Sequence, residues 1–167
     1  MSEIRYDYSF NLNEWFIVIA LIVGTLMVLW LPRRFSKKTA CVYLMCGVFN
    51  GFFFDHTLSV FPVSFYDIND TSRFEVMDFF SHVMYAPYSY LFFYLYDFFR
   101  VKTSNAMLYI LVWAFVSTGF ERLCVLVGIF HYQQGYSIYY SFCIYLVVLS
   151  LWVTIYHVLK NHGDQRF

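Results

Sequence analysis

Residues 106–130 form an apolar run long enough to cross a membrane, and its only charged side chains are the adjacent Glu121 and Arg122. A second run, residues 39–61, is broken by Asp55 and His56. A helix needs about 20 apolar residues to span a bilayer core of about 30 Å. A charge near the middle of such a helix costs about 2.5–3.5 kcal/mol on insertion scales. Both features constrain the fold: long apolar helices, and some arrangement that compensates the charges within them.

Composition points the same way. The chain is 60% hydrophobic and 13% charged, against about 45–50% and 25% in soluble domains. With 21 Phe and 16 Tyr, a soluble surface would carry large exposed apolar patches. The lipid bilayer is therefore the expected partner. A formal net charge of zero gives no electrostatic basis for a nucleic-acid partner. Cys41, Cys46, Cys124 and Cys143 all fall in apolar segments without a C-x-x-C pair, and read as small core residues. The acidic leader MSEIRYDYSFNLNE lacks the basic region of a cleavable signal, so the first apolar run is expected to stay in the mature protein.

The expected fold is all-α, a single integral membrane bundle of about five transmembrane helices. The spans read as residues 15–31, 39–61, 74–99, 106–130 and 136–159. Pro32 and Pro62 stop the first two, and Pro87 is expected to kink the third. An alternative keeps four full spans, with residues 74–84 lying in the interface as an amphipathic helix. Eight of eleven basic residues fall on one side: Arg33, Arg34, Lys37, Lys38, Arg100, Lys102, Lys160 and Arg166. Arg5 and Arg73 fall on the other. The positive-inside rule then puts the N-terminus outside and the C-terminus inside. The loop HYQQGY suits a tight external turn, with Gly135 free to take positive φ.

At about 1.5 Å per residue, Asp55 lies roughly 24 Å above the inner end of its span, His82 roughly 25 Å and Glu121 roughly 22 Å. Three helices thus carry ionisable groups at one depth. Neighbouring helical residues point about 100° apart, so the pairs Asp55–His56 and Glu121–Arg122 are expected to straddle two helix contacts. Asp78 and His82, four apart, share a face. A buried Arg122 calls for a carboxylate, from Asp55 or Glu121. Asn50, Ser117 and Thr118 add hydrogen-bonding groups, and His131 and Tyr132 sit at the outer rim. Asp97 and His157 read as interfacial.

The polar layer of Asp55, His56, His82, Glu121 and Arg122 has three readings. It can hold helices together in a non-enzymatic protein that binds a membrane-protein partner or itself as a homo-oligomer. It can be the site of a small transporter or channel, although no polar path continues to the inner face. It can also be an outward-facing metal site, with His56, His82, Asp55, Asp78 and Glu121 as suitable ligands, but at no fixed metal-binding spacing. No cofactor motif is present: there is no phosphate-cradling glycine loop, no C-x-x-C-H and no G-x-S-x-G. The first reading is the expectation, with no enzyme activity.

The strings YDINDTSRFEVMDFF, MYAPYSYLFFYLYD, GFERLCVLVGIFHYQQGYSIYYSF and IYHVLK resemble a family of small multi-spanning membrane proteins of spore-forming Bacillus and its relatives. The resemblance covers residues 55–160. It implies a bacterial cell membrane and makes Asp67, Asp70, Glu75, Asp78, Tyr85, Pro87, Glu121, His131, Tyr132 and Tyr136 motif positions. It implies no catalytic role.

Overall fold

The computed structural model describes residues 10–59, 62–68 and 76–162. The parts of the expected spans at residues 60–61 and 74–75 lie outside these, as do Arg5, Asp70, Arg73, Glu75 and Arg166. Five helices run in order: α1 (Leu12–Trp30), α2 (Lys37–Leu58), α3 (Val76–Phe98), α4 (Ala106–Leu126) and α5 (Ile138–His162). Two short strands, β1 (Tyr66–Ile68) and β2 (Phe130–Tyr132), pair antiparallel.

The helix ends follow local chemistry. Asn11 and Glu14 form a capping box that starts α1 three residues before its apolar run. Ser36 caps α2 by accepting from Thr39 N at 3.2 Å. α1 stops before Pro32, with Leu31 in the extended region that a following proline imposes. α4 ends earlier than the apolar run suggests. Gly128 turns the chain at φ +85°, and the last residue of the run, Phe130, begins β2 instead of continuing the helix. Gly135 takes φ +76° in the tight turn after β2.

Helix α3 lies at the centre and runs unbroken through Pro87. Three glycines on its neighbours let backbones approach it. A Cβ on Gly24 of α1 would meet the Pro87 ring at 2.9 Å, and one on Gly47 of α2 would run into the Tyr85 carbonyl oxygen. Gly51, one turn on, faces His82 and Tyr85. Gly47 and Gly51 thus form a small-xxx-small contact of the kind that lets membrane helices pack closely. At that contact Ser89 Oγ donates to Tyr43 O (2.6 Å) and accepts from Gly47 N (3.1 Å). Those are two groups that an α-helix ordinarily pairs with each other, so α3 is tied into the α2 backbone itself.

α4 and α5 pair with each other, and their faces toward α3 fill with aromatics. Phe92 meets Tyr109, Trp113 and Trp152 within 5.5 Å between ring centroids. Tyr43 stacks on Phe93 at 3.8 Å. Three segments are long and apolar enough to cross a membrane: Leu12–Trp30, Thr103–Leu126 and Ile138–Asn161. They turn broad apolar faces outward, with Ile22 and Leu26 on α1, Leu108 and Phe115 on α4, and Val147 and Leu151 on α5 all exposed. α2 and α3 are as long but more polar, because they carry Asp55, Asp78, His82 and Asp97.

One expectation is corrected. The cysteines are not all core residues: Cys124 is buried, Cys46 is half-buried, and Cys41 and Cys143 are exposed on the apolar exterior. Asp97, expected near the inner boundary, lies at the end of α3 and is enclosed by side chains, 3% exposed. Its Oδ2 takes both Arg34 Nη2 (2.7 Å) and Nε (2.9 Å), and its Oδ1 takes the Tyr156 hydroxyl (2.6 Å). The Asp97 carboxylate pushes the Arg34 guanidinium further above its usual range, chiefly by hydrogen bonding. This cluster fastens the α1–α2 connection to the ends of α3 and α5.

Candidate functional site

At the opposite end from Asp97, the two strands sit over the bundle in the register Tyr66↔Tyr132, Asp67↔His131 and Ile68↔Phe130. Directly opposed residues share a face of a ladder, so the two tyrosines point the same way. Tyr66 donates to Asp55 Oδ1 at 2.7 Å, and Tyr132 donates to Glu121 Oε1. One cross-strand pair therefore caps two carboxylates, Asp55 on α2 and Glu121 on α4. Burial, then the charge of Asp55, raises the Tyr66 phenol above its usual range. Burial, then Glu121, does the same for Tyr132. Both stay protonated and remain donors.

Asp55 has a second partner. Its Oδ2 lies 2.6 Å from His82 Nε2 on α3. The imidazole is 1% exposed, stacks on Phe52 at 4.1 Å, and directs Nδ1 at the Asp78 backbone carbonyl. Both ring nitrogens thus face oxygens. The i,i+4 relation of Asp78 and His82 holds, but it is made through the Asp78 backbone.

Glu121 is held differently. Its Oε1 accepts from Tyr132 and from Ser141 Oγ at 2.5 Å, and its Oε2 accepts from Tyr145 at 2.6 Å. Ser141 is itself 2.9 Å from the Tyr136 hydroxyl. Among the described residues the donors to Glu121 are hydroxyls alone, and no cation lies within ion-pairing distance.

Between these groups lies a crevice of about 120 Å³. Asp55, Glu121, Asn50 and the Tyr88–Ser117 hydroxyl pair supply its polar wall, with 2.7 Å between the two hydroxyls. Val148, Leu149 and Trp152 of α5 supply an apolar wall. Asn50 Nδ2 is buried and has no hydrogen-bond partner among the described residues. A buried, unmatched amide costs about 1–3 kcal/mol, so it calls for a water or a ligand atom.

The structure separates the expected layer. Asp55, His82 and Glu121 turn inward at one level. His56 is exposed and bonds the Phe52 carbonyl at 2.8 Å, with its ring 6.4 Å from that of His82. Arg122 is exposed too and makes no ion pair among the described residues. Each adjacent pair therefore has one member inside and one outside, and does not straddle two helix contacts. Arg122 needs no buried carboxylate, because it lies within five residues of the end of α4, where a long side chain can reach the interface. His131 is half-buried on the other face of the ladder from Tyr132. Among the described residues no set of three His, Cys, Asp or Glu side chains is gathered as metal ligands.

Tyr66, Ser141 and Tyr145 were not read from the sequence as partners of the carboxylates. For the last two a signal existed: residues 141, 145, 148, 149 and 152 recur at helical spacing and form one stripe of α5. For Tyr66 none did, since its contact depends on a ladder between distant loops. No family model, curated protein or solved structure matches the chain.

Proposed function

We propose that this is a non-enzymatic, five-span protein of a bacterial cell membrane, N-terminus outside, that holds a small molecule in the crevice at its outer end. It acts alone or as a small subunit of a membrane assembly. The observation that carries this is the crevice itself: two carboxylates and an unmatched Asn50 amide beside an apolar wall. Concave, mostly apolar sites with a few convergent polar groups are the usual form of small-molecule sites. The basic residues at the Asp97 end and the ladder at the other support the orientation. The resemblance to small membrane proteins of spore-forming bacteria supports the location.

A holding site is favoured over a through-path by what lies toward the Asp97 end. The Tyr43–Phe93 stack, Phe92 and Trp152 fill the bundle there. The test is a ligand screen on the detergent-purified protein, read by thermal shift and by ligand-detected NMR. Val148→Phe, which fills the crevice, should abolish saturable binding, whereas Leu151→Phe on the outer face of α5 should not. Equal binding to both variants would refute the crevice as the site.

A further inference from the structure

Five carboxylates are buried or nearly so among the described residues: Glu14, Asp55, Asp78, Asp97 and Glu121. Glu14 and Asp78 sit in the first turns of α1 and α3, where the helix dipole favours negative charge. Asp55 has His82 and Asp97 has Arg34. Glu121 has neither form of support. It lies near the C-terminal end of α4, where the dipole offers a carboxylate nothing, and its partners are three hydroxyls. With Asp55 it lines the crevice that carries the α5 apolar wall. Burying a charge without a counter-charge is expensive. Of the five, Glu121 is the one whose surroundings call for a positive partner.

A proton on Glu121 would neutralise it. It would leave the crevice volume and the unmatched Asn50 amide unexplained. A small organic cation accounts for all three. Three hydroxyls use three of the roughly four acceptor directions of a carboxylate, leaving one open. Tyr85, Tyr88 and Trp152 line the same crevice, and aromatic rings attract ammonium groups. A dry cavity of about 150 Å³ holds benzene. A crevice of about 120 Å³ therefore suits an ion of about six non-hydrogen atoms.

Resting on the proposed binding role, we propose that the crevice takes a small organic ammonium ion, its head on Glu121 and its carbon skeleton against Val148, Leu149 and Trp152. Asn50 supplies a donor to a polar atom of the ligand or to a water it carries. The ammonium can belong to a free amine or to an amine-bearing lipid headgroup. The crevice favours the free amine, because a headgroup would bring its phosphate beside Asp55 and Glu121.

The test uses the full chain in phosphatidylglycerol nanodiscs and two probes of one shape, cyclopentylammonium and cyclopentanol. The ammonium should bind saturably, at least about tenfold tighter than the alcohol. Glu121→Gln should erase that preference while keeping alcohol binding. If this variant does not fold, the comparison on the unaltered protein decides alone. Equal affinity for the two probes would overturn the ammonium assignment yet leave the crevice a binding site. Binding of neither would overturn both. Repeating the titration with phosphatidylethanolamine in the disc separates the sources. Weakened amine binding would give the site to a lipid headgroup, and unchanged binding would give it to a free amine.

Discussion

Glu121 and Arg122 are neighbours in sequence, and one turns inward while the other turns to the exterior. That opposition makes their substitutions unequal. Arg122→Gln should leave thermal stability within about 0.5 kcal/mol of the unaltered protein, as for an exposed site. Tyr145→Phe removes one donor from a buried carboxylate and should cost about 1–3 kcal/mol, measured by denaturant or thermal unfolding in micelles. Arg34→Gln takes the guanidinium away from buried Asp97, which keeps the Tyr156 hydroxyl at 2.6 Å and Lys160 at 3.9 Å. It should cost at least as much as Tyr145→Phe. A stable Arg34→Gln protein would show that Asp97 is neutral or reached by water. Residue counting at the helical rise foresaw that Asp55, His82 and Glu121 share a level, because depth is additive along a helix. Which way each points was not legible, because direction depends on where the neighbouring helices lie.

At the scale of elements, the helices were readable and their contacts were not. Apolar runs bounded by proline and basic clusters mark helix ends locally, and the Asn11 cap that starts α1 earlier was not read. The strands β1 and β2 are three residues each, too short for any alternation to show, and their pairing joins loops far apart in the chain. The Gly47–Gly51 spacing carried a legible signal for the α2–α3 approach. Gly47→Ala would set a Cβ against the Tyr85 backbone, and should cost about 1–3 kcal/mol through overpacking. Gly119 lies in the interior of α4, and a methyl group added there would meet nothing within 4 Å. Gly119→Ala should therefore raise the melting temperature, worth up to about 1 kcal/mol in helix propensity. Paired unfolding curves of the two variants separate contact from propensity.

For the whole molecule, the basic end and the ladder end define opposite faces. With the proposed orientation, Gln134→Cys beside the ladder and Ser104→Cys in the 3-10 turn before α4 (Thr103–Asn105) should differ on intact cells. In a background lacking the native cysteines, a membrane-impermeant maleimide should label the first and spare the second until the cells are opened. The reverse pattern would invert the topology. Labelling of both on intact cells would refute the span count.

The pairing of Tyr66 with Tyr132 has a mechanical corollary. Side chains along a strand alternate faces, so a slip of one residue turns a whole strand over. In a ladder only three residues long, neither phenol can leave its carboxylate by a register change without parting the strands. Asp55 and Glu121 belong to separate helix pairs, yet they share one latch, and any motion that releases it uncovers the two acids together.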